Sequence, residues 1–155
     1  MSPGPTATVT GLTVYPVKSM RGIPLKQARL TPAGLEHDRR FMVTRPGGRF
    51  VTQRDCPKLA LIGTALDEDG VTLSRDGFGT IRVPFDREDG DRVQTRVWND
   101  PCETVDQGAA VSRWLSEALE NPDALRLVAM APGFRRPQGK ADLLGAGTHT
   151  LFADA

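Results

Sequence analysis

Between Val14 and Gly22 the chain reads Val14-Tyr15-Pro16-Val17-Lys18-Ser19-Met20-Arg21-Gly22, which sets an ammonium, a hydroxyl and a guanidinium within one short stretch. Their shared chemistry is anion binding: a point charge, a short hydrogen bond and a planar fork of donors. Pro16 has no N–H for a sheet ladder and holds Tyr15 extended, so a strand entering here ends or bulges and re-aims its side chains. A second basic cluster, Asp38-Arg39-Arg40-Phe41, opens a strand that could lie alongside. Lys18 and Arg21 as solvated turn residues fit the same spacing, and spacing alone leaves both readings open.

Other chemistries find less support. The sequence holds no GxGxxG after a strand, no GxxxxGK[ST], no GxSxG and no HExxH. The two histidines, His37 and His149, lie far apart. His37 next to Asp38 has the makings of an oriented base, but a turn histidine without a catalytic role is the plainer reading. Cys56 and Cys102 are separated by 46 residues with no CxxC, so two reduced thiols are expected rather than a disulfide framework or a zinc site. Cys56 precedes Pro57 in a loop with only Arg54 nearby to activate it. Trp98 and Trp114 read as core or interface packing rather than stacking platforms. Arg135-Arg136 before Pro137 could touch an anionic group or a partner, and a solvated loop is the plainer reading.

The elements that must position these residues are mostly strands. Ala7–Tyr15 is rich in Thr and Val, Leu25–Leu30 is a second short strand, and Thr31-Pro32-Ala33-Gly34 is turn chemistry. Phe41–Arg45 and Arg49–Thr52 flank Pro46-Gly47-Gly48 as a hairpin would. The apolar run Leu59–Leu66 reads as a strand buried on both sides, and Asp67–Gly70 turns it into Val71–Ser74. Ile81–Phe85 alternates strictly, Val93–Trp98 and Cys102–Val105 follow, and Leu125–Met130 is a further strand. One helix is expected near 108–120, with Val111, Trp114, Leu115, Ala118 and Leu119 on one face, Asp106 capping it and Asn121-Pro122 ending it. Short strands closely spaced around one amphipathic helix predict a mainly β (α+β) fold, a small β-barrel or rolled antiparallel sheet.

The chain's 155 residues suit one domain with a real core. Its 20 basic and 19 acidic side chains nearly cancel, so no overall field calls for nucleic acid or a membrane surface. Residues 1–6 read as a disordered lead without a signal-peptide pattern, and a cytoplasmic address is expected. Residues 132–147 read as a basic, Gly- and Pro-rich loop. Leu151–Ala155 looks like the start of an element, as in a truncated chain.

Taken together, Tyr15-Pro16-Val17-Lys18-Ser19 with Gly22, Gly34-Leu35, Asp38-Arg39-Arg40-Phe41-Met42-Val43, Thr52-Gln53-Arg54 and Pro57-Lys58-Leu59 with Ile62 resemble one family. It is the N-terminal β-barrel domain that precedes a MOSC domain (molybdenum cofactor sulfurase C-terminal). Trp114, Arg136-Pro137 and Phe152-Ala153-Asp154 match more loosely. The resemblance implies that residues 7–150 form this barrel and that 151–155 begin the following MOSC domain. Relatives of this kind are similar to the mitochondrial amidoxime-reducing component.

By that resemblance Lys18, Ser19 and Arg39 hold the phosphate end of molybdopterin, with Arg21, Arg40 and Arg54 as weaker candidates and Tyr15 and Phe41 shaping the wall. Arg40, one step from Arg39 on a strand, should face the other way. Arg54 either lines the cleft or pairs with Asp38. The family's molybdenum-ligating cysteine lies in the MOSC domain, so no metal ligand or catalytic residue is expected among residues 1–155, and pyridoxal phosphate is not expected to bind directly. The implied partners are a MOSC domain in cis and an electron donor. The implied activity of an intact protein is oxidoreduction of N-hydroxylated substrates or handling of sulfur on the cofactor. The alternative is a non-enzymatic barrel binding an anionic partner such as single-stranded nucleic acid, which few aromatics and a near-zero charge disfavour.

Overall fold

The computed structural model describes residues 4–136 and 151–152. Strands β1 (Leu12–Val14) and β2 (Ile23–Leu25) pair antiparallel, so the stretch from Tyr15 to Gly22 is the connection between them. A small hairpin, β3 (Leu30–Thr31) and β4 (Gly34–Leu35), closes over Pro32-Ala33, with the Thr31 hydroxyl donating to the Gly34 carbonyl at 2.9 Å. Then come β5 (Phe41–Thr44), a 3-10 helix (Pro57–Leu61), β6 (Gly63–Leu66), β7 (Gly70–Arg75), β8 (Gly79–Pro84), β9 (Arg92–Val97), β10 (Asp100–Asp106), α1 (Ala109–Ala118) and β11 (Arg126–Met130).

Two antiparallel sheets carry the fold. One has the order β5-β11-β10-β9 and the other is the meander β6-β7-β8. Strand β9 alternates exposed Arg92, Gln94 and Arg96 with buried Val93, Thr95 and Val97, the period-two pattern of a sheet with one wet face. Strand β5 is buried at all four positions because a different core lies against each face. Phe41 and Val43 join Val17, Leu59, Ile62, Val71, Leu115 and Leu127, whereas Met42 joins Val97, Cys102, Val128 and Phe152. Helix α1 closes the first core with Val111, Trp114, Leu115 and Ala118, and the Trp114 indole N–H donates to the Phe78 carbonyl at 3.0 Å. Each fully buried side chain of this size contributes about 1.5–3 kcal/mol of transfer free energy.

The fold class and the helix match the expectation, and several boundaries do not. Leu59–Leu66 is not one strand. Pro57 presets the backbone of a 3-10 turn, and Leu59 and Ile62, three residues apart, are both fully buried before β6 begins at Gly63. The predicted strand Leu25–Leu30 breaks into the ends of two hairpins because residues 26–30 are exposed, leaving no face to bury. Likewise the first strand starts at Leu12, since residues 4–11 are exposed. Asp106 caps the helix only indirectly: its carboxylate accepts the Gly108 N–H at 2.7 Å and pairs with Arg126, while Gly108 occupies the cap position. The hairpin at Pro46–Gly48 forms, but its second arm is a single bridge, Thr44 to Phe50. At its turn Gly48 (φ 82°) presses on β9, where a Cβ would come within 2.2 Å of the Gln94 carbonyl. The loop expected at 132–147 and the strand-like segment at 149–153 lie largely outside the described residues.

A candidate anion-binding site

The β1–β2 connection runs beside the entry to β5, as the two basic clusters predict. Val17 and Phe41 form a parallel bridge, the Lys18 N–H donates to the Phe41 carbonyl at 2.9 Å, and the Arg39 N–H donates to the Tyr15 carbonyl at 2.6 Å. Pro16, lacking an N–H, still accepts from Phe41 through its carbonyl at 3.0 Å. The backbone therefore delivers Lys18, Ser19 and Arg39 to one place. A third segment joins them when the Gln53 side-chain amide donates to the Ser19 carbonyl at 2.8 Å, which ties the Thr52-Gln53-Arg54 turn to the corner.

These segments enclose a cavity of about 330 Å³ lined by Tyr15, Lys18, Ser19, Met20, Arg39, Thr52, Gln53, Arg54 and Trp98. Among the described residues its lining holds three cationic side chains and no carboxylate. Asp38 stands beside it, accepting from the Arg39 guanidinium at 2.6 Å and from the Tyr15 N–H at 2.9 Å, so it anchors both walls. The Arg39 guanidinium also stacks on the Tyr15 ring, 4.7 Å from its centre. Gly22 explains its own place in the pattern: a Cβ there would meet the Tyr15 ring at 2.7 Å and the Thr13 methyl at 2.6 Å. Lys18 is 4% exposed, and its ammonium donates to the Phe152 carbonyl at 3.1 Å.

Backbone conformation sets this cavity apart. Five non-glycine residues among those described have positive φ: Ser19 (70°), His37 (66°), Arg39 (44°), Trp98 (55°) and Glu120 (49°). Three of the five, Ser19, Arg39 and Trp98, line this cavity. Left-handed backbone at residues with side chains carries a cost of about 1–3 kcal/mol and concentrates at functional sites.

Of the remaining candidates Arg54 joins the cavity and the others go elsewhere. The Arg21 guanidinium donates to the Ala60 carbonyl at 3.1 Å and faces a separate hollow with Ser74 and Asp76. Arg40 lies over the Phe85 ring at 4.8 Å and donates to the Phe85 carbonyl at 2.7 Å, on the far side of Arg39. Arg54 lines the cavity, and Asp38 takes Arg39 as its partner instead. Phe41 is fully buried and forms no part of the wall. His37 stacks on Phe85 at 4.4 Å, away from the cavity; burial holds its pKa below the usual value, Glu36 opposes this, and the Arg40 charge reinforces it.

Sequence reasoning missed three features. Arg136 is 3% exposed rather than solvated, bound to the Asp100 carboxylate at 2.8 Å and the Leu151 carbonyl at 3.3 Å. Trp98 is 49% exposed, which removes the core half of the expectation of core or interface packing. Gln53 acts as the strut of the corner, which its position between Thr52 and Arg54 could have suggested. Cys56 and Cys102 are buried in separate cores and unpaired, and burial pushes the Cys102 thiol up. Among the described residues no three His, Cys, Asp or Glu gather as metal ligands, and no helix is long and apolar enough to cross a membrane.

Comparison with known proteins gives a consistent family. The family model of the MOSC N-terminal beta barrel domain matches residues 6–122. The chain is 37% identical over 139 residues to molybdenum cofactor sulfurase of Danio rerio, an alignment covering 86% of this chain and 16% of that protein. It is 33% identical over 154 residues to mitochondrial amidoxime-reducing component 1 of Homo sapiens, covering 95% of this chain and 45% of that protein. A Bordetella bronchiseptica protein solved in solution shares the fold, with a TM-score of 0.52 and 22% identity over 70% of this chain and 91% of that one. The chain belongs to the MOSC N-terminal beta barrel family, and it spans less than half the length of the two curated relatives named.

Proposed function

We propose that this MOSC N-terminal barrel holds the phosphate end of molybdopterin in its Lys18–Ser19–Arg39 corner, as the cofactor-clamping part of a larger MOSC-type oxidoreductase. One observation carries the reading: three cations and a strained serine converge on one cavity, with no carboxylate among the described residues that line it. A phosphate dianion needs several charge-assisted donors to replace its water, and this lining offers an ammonium, two guanidiniums, a hydroxyl and the Thr52 and Gln53 side chains. The residues fit the phosphate and not the metal, since neither cysteine reaches the cavity. Arg54, also in the lining, adds a further positive charge.

Within that protein the chain's residues bind and orient. Asp38 fixes Arg39, Tyr15 supports its guanidinium from below, and buried Lys18 is held by the carbonyl of Phe152 rather than left to find its own position. When bound, the cofactor would supply the redox chemistry of molybdenum, with its cysteine ligand drawn from a MOSC domain in cis. The substrate class we infer is N-hydroxylated compounds. That choice follows the amidoxime-reducing relative, whose alignment takes in 95% of this chain.

The test is cofactor content. The longest reading frame containing this segment is expressed and assayed for molybdenum and molybdopterin, beside Arg39→Ala and Lys18→Ala variants. Cofactor present in the parent and depleted in both variants supports the reading. Equal molybdopterin in all three overturns it.

A further inference from the structure

Two buried cations, Lys18 and Arg136, are held by successive carbonyls of one dipeptide. Lys18 is 4% exposed and its ammonium donates to the Phe152 carbonyl at 3.1 Å, while Arg136 is 3% exposed and donates to the Leu151 carbonyl at 3.3 Å. The Phe152 N–H makes a third contact, donating to the Arg39 carbonyl at 3.2 Å. One dipeptide therefore reaches the β1–β2 connection through Lys18, the entry to β5 through Arg39, and the start of β10 through Arg136 and its Asp100 partner. The Phe152 ring anchors it, fully buried among Met42, Val97, Cys102 and Val128 of the second core.

These contacts bear on the two parts of the corner that need outside support. A lysine side chain has much rotamer freedom, and burying its ammonium is unfavourable without an acceptor. The Phe152 carbonyl is an acceptor fixed by its own buried ring, so Lys18 is held before any anion arrives and less freedom is lost on binding. The ammonium carries three donors, of which this bond takes one, and Lys18 still lines the cavity. Arg39 has a left-handed backbone (φ 44°), a conformation that persists at such a residue only where the surroundings over-determine it. Its peptide groups are fixed on two sides, the N–H by the Tyr15 carbonyl at 2.6 Å and the carbonyl by Phe152. Phe152 thus acts on both cations whose placement the phosphate reading requires.

We infer that Phe152 is a positioning residue of the anion site: its main chain presets Lys18 and Arg39, and its docking is coupled to occupation of the corner. The inference rests on the phosphate reading for its ligand. It goes beyond that reading by placing control of the site in a residue outside the cavity lining. Such coupling is reciprocal. An anion in the corner holds Phe152 more firmly in place, and a looser Phe152 weakens the anion's binding by the same factor.

The probe is inorganic phosphate, titrated calorimetrically into the 155-residue chain, with amide hydrogen exchange followed by NMR in its presence and absence. Saturating phosphate should slow exchange of the Phe152 amide by about tenfold or more. The Phe78 amide, bonded to the Arg75 carbonyl at 3.0 Å in the β7–β8 turn, should be unaffected. Phe152→Ala should weaken phosphate binding by about fivefold or more, whereas Phe152→Leu, which keeps an apolar anchor, should lose much less. Val128→Ala is the control for mere loss of stability. It empties part of the same core from β11, so it should lower the unfolding midpoint and keep the parent's affinity.

Unaltered exchange of the Phe152 amide in a parent chain that binds phosphate overturns the coupling and leaves the corner standing. That arm decides alone if Phe152→Ala does not fold. Equal losses of affinity in Phe152→Ala and Val128→Ala reduce Phe152 to general support of the core and overturn its positioning role. A parent chain that binds no phosphate overturns the phosphate reading itself, and the coupling with it.

Discussion

The Lys18 ammonium donates to the carbonyl of Phe152 at 3.1 Å, joining residues 134 apart in sequence, and the Phe152 N–H in turn donates to the carbonyl of Arg39 at 3.2 Å. Two residues of the proposed phosphate corner thus hold the same residue, Phe152. Phe152 itself is fully buried against Met42, Val97, Cys102 and Val128. Arg136 grips the preceding carbonyl, that of Leu151, while bound to Asp100. Leu151 and Phe152 are therefore part of the site's foundation.

Phe152→Ala should destabilise the chain by about 3–5 kcal/mol, the range for emptying a buried aromatic position. Thermal or urea unfolding measures it. A loss below about 1 kcal/mol would show that the segment packs only weakly on the second core.

Arg39→Ala should weaken phosphate binding by about tenfold to a hundredfold, since a charge-assisted contact is worth about 1.5–3 kcal/mol and tenfold is about 1.4. Arg40→Ala is the matched control: its guanidinium is spent on Phe85, so the variant should lose stability and keep its phosphate affinity. Calorimetric titration with phosphate or ribose 5-phosphate separates the two. Equal losses of affinity would count against the assignment of Arg39.

Gly22→Ala should act on the same site from a distance. The added methyl would overlap the Tyr15 ring and the Thr13 methyl, and Tyr15 carries the Arg39 guanidinium. We expect a smaller loss of phosphate affinity than for Arg39→Ala, with the fold retained on circular dichroism. Unchanged affinity would mean that the ring yields without moving Arg39.

His37 predicts a pH dependence. Its folded pKa is lowered from 6.5 by burial, so as pH falls the unfolded chain takes up the proton first. Stability therefore declines as pH drops below the ordinary histidine value and levels off below the folded one. His37→Asn suits the left-handed backbone at this position (φ 66°) and removes the titration. The fall in unfolding midpoint between about pH 8 and about pH 5.5 should be smaller in the variant. An unaltered profile would place the titration elsewhere.

Much of the fold could be read from residue order because it follows local rules. Strict alternation at Ile81–Phe85 and Val93–Val97, turn chemistry at Pro32-Ala33 and Gly47-Gly48, and a helical apolar face at Val111–Ala118 each depend on neighbours within a few positions. Leu59–Leu66 failed for the same reason. An apolar run gives no period to distinguish a strand from a 3-10 turn followed by a strand, and Pro57 decided it.

For the site, the sequence by itself determined which side chains could bind an anion and that Pro16 would end the strand before them. It also predicted that Arg39 and Arg40 diverge as neighbours on a strand; they diverge, but Arg39 lies in the turn ahead of β5 with a left-handed backbone (φ 44°). Only the tertiary structure decided that Arg54 joins the corner while Arg21 turns to Ala60, that Arg136 is buried, and that Trp98 is exposed at the rim. Those outcomes depend on contacts between segments far apart in sequence, such as Arg21 with Ala60 and Arg136 with Asp100. No local pattern records such contacts, since their energy exists only once the chain has closed on itself.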